Sequence, residues 1–194
     1  MMSGCSLLLK LKKDPRLAFR IISSTMEVLS WTESENNISM KIKANDFTPI
    51  HKMRQKIMRE VTTLAVDEVM IFANTTVIFD EMLAHRLTMI PFLSPDGVDS
   101  DILELETSQA GYVMSKSLFG ETRPAVNDIV IAKLCPGERL KVVIRLKRGS
   151  GKLNAKWNPI VTFGYKPAEP GTFDVTMETT GALSYEQIQR AVMN

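Results

Sequence analysis

Residues 75–91 read Thr-Thr-Val-Ile-Phe-Asp-Glu-Met-Leu-Ala-His-Arg-Leu-Thr-Met-Ile-Pro, which predicts a helix from Asp80 until Pro91 ends it. Asp80 and Glu81 place acidic side chains in the first turn, where the helix dipole favours negative charge. Met82, Leu83, Leu87 and Ile90 supply an apolar face, and the residue before a proline is biased away from helix. Upstream, Val66 to Phe79 is rich in β-branched and aromatic residues, with Asn74-Thr75-Thr76 as a break, so one or two short strands lead into the helix.

Farther upstream, Ile38-Ser39-Met40-Lys41-Ile42 alternates with period two, and Glu35-Asn36-Asn37 is a turn, so Met26 to Ile42 reads as a hairpin. Residues 1–25 are then an amino-terminal extension. A second helix is expected from Thr48, as cap, and Pro49, as first helical residue, to about Val61. Its apolar residues Ile50, Met53, Ile57 and Val61 make a narrow seam flanked by Lys52, Arg54, Lys56 and Arg59, suited to packing on a sheet or on a partner helix.

Downstream of Pro91, strands are expected at Ile102–Glu106, Gly111–Met114, Asn127–Lys133, Arg139–Leu146, Ile160–Tyr165 and Thr172–Glu178. Lys147 to Lys152 is expected to be a flexible basic loop, and Ser184 to start a short helix running to Val192. The order predicts an α+β fold, mostly sheet.

With 194 residues, 44% of them apolar, and a net charge of +2, the chain can bury a core and is not a disordered tail. Cys5 and Cys135 exclude a disulfide framework and a four-cysteine zinc cage drawn from this chain alone. No apolar run approaches the roughly 18–20 residues that span a bilayer, so no membrane segment is expected.

Charge is partitioned along the chain. Residues 67–128 hold 11 acidic and 3 basic side chains, whereas residues 133–166 hold 9 basic ones and Glu138 alone. Such opposed blocks either face different neighbours or fold against one another. The basic block, with Lys147, Arg148, Lys152 and Lys156 beside Trp157, Phe163 and Tyr165, has the residue types of a sequence-independent nucleic-acid surface.

Enzymatic chemistry finds little support. Gly149-Ser150-Gly151-Lys152 lacks the upstream glycine and following hydroxyl of a phosphate-binding loop, since Leu146 and Leu153 stand there. His51 and His85 have no nucleophile elbow to serve. There is no His-x-x-x-His or Cys-x-x-Cys, and Asp96, Asp99 and Asp101 read as an acidic surface turn.

The stretch Asp80 to Leu87, followed by Ile90-Pro91, closely resembles a signature of the alpha-like RNA polymerase subunits of archaea and eukaryotes, to which the bacterial alpha amino-terminal domain is distantly related. Lys56 to Asp67, Gly151 to Pro159 (with Ala155-Lys156-Trp157-Asn158-Pro159) and Phe173 to Arg190 resemble further segments of that family in the same order. The resemblance covers residues 26–194 and implies a discontinuous dimerisation domain, residues 26–62 and 167–194, interrupted by an inserted β-rich domain at 63–166. It implies a non-catalytic platform subunit of a DNA-directed RNA polymerase that pairs with a small alpha-like subunit and docks the large catalytic subunits. Nucleic acid is then met only through the complex. On this reading Ile50, Met53, Ile57 and Val61 become a partner interface, and Ala84, His85, Arg86 and Leu87 a docking surface. The implied location is intracellular: cytoplasmic for an archaeal or viral source, nuclear for a eukaryotic one.

Several positions depart from the family pattern. Thr88 and Asn154 stand where glycine and histidine are common. Phe92 to Ile102 carries no cysteine, so no metal or other cofactor is expected. The sequence given ends at Asn194, about where the family's long second dimerisation helix begins, so a reduced form or added contact from the partner is expected.

Overall fold

The computed structural model describes residues 26–193; the amino-terminal extension expected at residues 1–25 lies outside them. Strands β1 (Met26–Ser34) and β2 (Asn37–Ala44) form the expected hairpin, and Glu35 takes a left-handed φ of 50° in its turn. With β8 (Ile160–Pro167) and β9 (Thr172–Thr179) they make an antiparallel sheet of order β1-β2-β9-β8. The period-two alternation turns Ile38, Met40, Ile42 and Ala44 inward, and helices α1 (Thr48–Arg59) and α3 (Tyr185–Met193) cover that face with Ile50, Met53, Ile57, Ile188 and Val192.

Both helix starts have local causes. The cap position of α1 falls on Phe47 rather than on the expected Thr48; the Thr48 N–H donates to Asp46 Oδ1 at 3.0 Å, and Pro49 sits inside the first turn. At α3, Ser184 Oγ accepts the Gln187 N–H at 3.2 Å while Gln187 Oε1 accepts the Ser184 N–H at 2.9 Å, a reciprocal capping box.

A second sheet has β7 (Leu140–Ser150) between β3 (Thr62–Asn74) and β4 (Ser100–Thr107), and β5 (Gly111–Met114) pairs with β6 (Val130–Leu134). Their inward side chains, including Leu64, Leu103, Leu105, Ile131, Val142 and Ile144, enclose Leu83 and Leu87 of helix α2 (Asp80–Thr88) and Phe92 beyond it. The described residues therefore form two hydrophobic cores. The α+β, mostly sheet expectation holds.

Three local expectations change. Residues 147–150 are the end of strand β7, not a loop, because Gly149 lets the buried Trp157 ring lie directly on the strand. Gly151 is pressed against the Met58 carbonyl at the end of α1, and the Lys152 N–H donates to Arg59 O at 3.0 Å. Gly149 thus allows close packing of Trp157 on β7, and Gly151 allows close packing of that strand's end on α1. β8, expected largely inside the inserted part, pairs along its length with β9 in the first sheet.

Candidate functional site

Helix α2 is held at both ends. Asn74 Nδ2 donates to Ile78 O at 2.8 Å and to Asp80 Oδ1 at 2.7 Å, tying the approach loop to the first turn. Arg86 Nε donates to Ile131 O at 2.9 Å and its Nη2 to Val130 O at 2.7 Å, fastening the helix to β6. Leu83 and Leu87 are buried in the second core. Of the four residues expected to form a docking surface here, only His85 is exposed without a structural duty of this kind; Leu87 is core, Ala84 is half-buried and Arg86 is spent on β6.

Outward, the helix shows Asp80, Glu81, His85 and Arg86 together with apolar Met82, and further apolar side chains flank its ends. Val77 is 84% exposed, Phe79 77%, Met82 57% and Met89 66%. Met82 and Met89 are seven residues apart and share one face, with Phe79 just before the first turn. Met82 was expected among the inward residues. The sequence signal for Met82 and Met89 is their seven-residue spacing, which sets both about 100° round the helix from Leu83 and Ile90. Large apolar groups clustered in water mark interaction surfaces.

Beyond Met89 lies a groove between the two cores. A cavity of about 360 Å³ is lined by Thr63 and Leu64 of β3, Met89 to Pro91 after α2, Ala155, Lys156 and Asn158, Val161 of β8, and the segment after β9 from Thr179 to Ala182. Residues 155–157 form a 3-10 turn, started by Asn154, whose side chain accepts the Lys156 N–H at 3.0 Å. Trp157 Nε1 donates to Lys147 O at 2.9 Å, and the Lys156 ammonium lies 4.2 Å from the Trp157 ring centroid while donating to Val66 O at 2.7 Å.

The seam of α1 lies elsewhere. Ile50, Met53 and Ile57 are buried against the chain's own four-stranded sheet, with Val61 partly buried beside them. A hydrophobic seam at this spacing, expected as a partner interface, packs in its first three residues on the sheet that the same chain provides, and Val61 keeps part of its surface open. The outward face of α1 carries His51, Lys52, Gln55 and Arg59 instead.

The basic block is largely neutralised from within. β7 lies between strands that carry acids, and Arg145 stands directly opposite Glu68 and pairs with it. Arg139 and Lys141 reach Glu106 at 2.8 and 2.7 Å, and their hydrogen bonds, Lys141 foremost, hold the Glu106 carboxyl below its usual range. Arg148 donates to Val98 O at 2.8 Å and to Pro95 O, and Lys156 is occupied as described. Lys147 lies 3.9 Å from Asp67, which leaves Lys152 as the exposed cation of the four without an ion pair among the described residues. The opposed charge blocks fold against one another.

Among the described residues no three His, Cys, Asp or Glu side chains gather in a metal-binding group, and no helix is long and apolar enough to cross a membrane. No protein-family model matches the chain. Curated proteins do. Subunit Rpo3 of the DNA-directed RNA polymerase of Methanocaldococcus jannaschii is 31% identical over 139 residues, which cover 70% of this chain and 72% of that protein. The chain belongs to the alpha-like RNA polymerase subunit family. Rpo3 of Pyrococcus horikoshii is 37% identical over 144 residues, 68% of this chain and 56% of that protein. Human subunit RPAC1 of RNA polymerases I and III is 27% identical over 177 residues, 68% of this chain and 51% of it. The chain thus spans a little over half the length of several of the relatives that it matches. Within this alpha-like family member, Phe79, Met82 and Met89 and the groove beyond them are one exposed apolar site.

Proposed function

We propose that the chain is a non-catalytic assembly subunit of a multisubunit DNA-directed RNA polymerase. Its first sheet with α1 and α3, drawn from residues 26–62 and from 160 onward, acts as the dimerisation domain toward a small alpha-like subunit. The second core, residues 63–159, is the inserted β-rich domain, and it docks a large catalytic subunit through α2. The observation that carries the docking is the exposed Met82 on α2, with exposed Phe79 and Met89 at its two ends, while Leu83 and Leu87 anchor the buried side of the helix. A rigid helix presenting apolar side chains loses little conformational entropy when a partner covers it. Family membership supports the polymerase setting. The nucleic-acid reading of Lys147, Arg148, Lys152 and Lys156 has less support, because Arg148 and Lys156 are spent inside the chain.

The test is coexpression with the small alpha-like subunit and then with the large subunit from the same source. The expected result is a one-to-one heterodimer on gel filtration that retains the large subunit, with Met82→Asp abolishing retention and leaving the heterodimer intact. A heterodimer that retains the large subunit equally well with Met82→Asp would contradict the α2 docking.

A further inference from the structure

The second sheet buries one face and turns the other to solvent. Along β3, β7 and β4 every second side chain points outward, among them Met70 and Phe72, Val143 and Arg145, and Ile102 and Glu104. Register sets these side chains in rows. Met70 stands opposite Val143, Val143 opposite Glu104, and Glu104 opposite Phe119. The last pair exchanges both backbone bonds: the Glu104 N–H donates to Phe119 O at 2.8 Å and the Phe119 N–H to Glu104 O at 2.9 Å. In the next row Arg145 separates Glu68 from Ile102. Side chains directly opposite one another on antiparallel strands share a face and lie about 5 Å apart. Phe119 is 75% exposed, Phe72 63% and Ile102 57%, with Met70 exposed between the strand ends. A cluster of large apolar groups rimmed by charges is the composition of a contact surface.

The charges of this face specify what covers it. Arg145 pairs with Glu68, and Arg139 and Lys141 both close on Glu106. Glu104, in the middle of the apolar row, has no ion pair among the described residues, and neither has the exposed Glu121, two positions after Phe119. A purely apolar cover would strip the Glu104 carboxylate of water and return nothing, a cost that offsets the apolar contacts. A second copy packed here about a two-fold axis would set carboxylate against carboxylate, and nucleic acid would bring phosphates to them. A cation set among apolar side chains satisfies both parts of the surface.

We infer that the outward face of the second sheet docks a polypeptide surface of another polymerase subunit, which places a lysine or arginine on Glu104 and apolar side chains over Phe72, Ile102 and Phe119. The inference rests on the polymerase reading. It is independent of docking through α2, because α2 packs on the inward side of this sheet through Leu83 and Leu87.

The experiment purifies the tagged full chain with its complex from the native source, carrying a benzophenone amino acid in place of Ile102. Irradiation joins it to whatever covers the sheet, and mass spectrometry identifies the joined peptide. The expected peptide belongs to another polymerase subunit and has a lysine or arginine flanked by apolar residues. Affinity of that subunit for the full chain is then measured for Phe119→Asp and Glu104→Gln, with thermal melting of each variant as a check on folding. Both are expected to lose affinity at least tenfold. Glu104→Gln identifies the cation, since it strands a partner charge, whereas under a purely apolar cover it would leave affinity unchanged or raise it. Unchanged or raised affinity in Glu104→Gln would therefore overturn the inference. A joined peptide from a second copy or from residues 1–25 of this chain, or none while polymerase subunits co-purify, would overturn it and leave the polymerase reading standing. A preparation without any polymerase subunit would overturn both.

Discussion

Arg86 in α2 donates from Nε to the carbonyl oxygen of Ile131 at 2.9 Å, across 45 positions of sequence, and its second bond to Val130 O makes the contact two-pronged. The planar guanidinium matches two successive strand carbonyls in a way that a single ammonium does not. Arg86→Lys is therefore expected to lower stability by about 1–2 kcal/mol and to weaken docking through α2. Urea unfolding with and without the large subunit measures both effects.

The seam of α1 makes the opposite kind of prediction. Ile57 is fully buried among first-core side chains, so Ile57→Ala should cost about 2–5 kcal/mol. The loss is one of folding, seen as a lower melting temperature of the isolated chain. Lys52→Ala, on the outward face of the same helix, should stay within about 0.5 kcal/mol.

Gly151 tests whether the Gly-Ser-Gly-Lys stretch is a packing device. A β-carbon there meets the Met58 carbonyl, a backbone atom that has no rotamer by which to yield. Gly151→Ala is expected to destabilise by about 3 kcal/mol or more. Gly137→Ala, where the added carbon meets nothing but φ is 87°, should cost about 1 kcal/mol from backbone strain. Parallel thermal melts compare the two.

Asp96 joins the loop beyond Pro91 to α3. It accepts from Gln187 Nε2 at 3.0 Å and from Arg190 at 3.2 Å, and the Gln187 bond is the main reason that its carboxyl titrates below the ordinary aspartate range. A depressed folded-state pKa means stabilisation that is present above the unfolded value and lost as pH falls through the folded one. Acidification below about pH 4 should therefore loosen α3. Hydrogen exchange of α3 amides against pH checks this, and Asp96→Asn should remove that part of the pH dependence.

What was legible in the sequence was local. The hairpin at 26–44 follows from strict alternation, and α3 follows from Ser184 with Gln187 three positions on. What was not legible depended on partners distant in sequence. The basic block's partners were hidden: Glu68, which neutralises Arg145, lies 77 positions away on the neighbouring strand. Ile50, Met53 and Ile57 have the spacing of an interface, and spacing alone does not say whether the covering surface belongs to the same chain. Met82 and Leu83 are adjacent and equally apolar, and only the placement of β6 and Phe92 decides which one is buried. The groove is assembled from four separate segments and leaves no mark in any one of them.

The central claim, that the chain assembles a polymerase, is tested most directly by affinity purification of the tagged protein from its native source at moderate salt, with mass spectrometry of what co-purifies. The account predicts two very large subunits and one small alpha-like subunit in amounts comparable to the chain itself. Recovery of the chain alone, or with nucleic acid that nuclease removes, would contradict it.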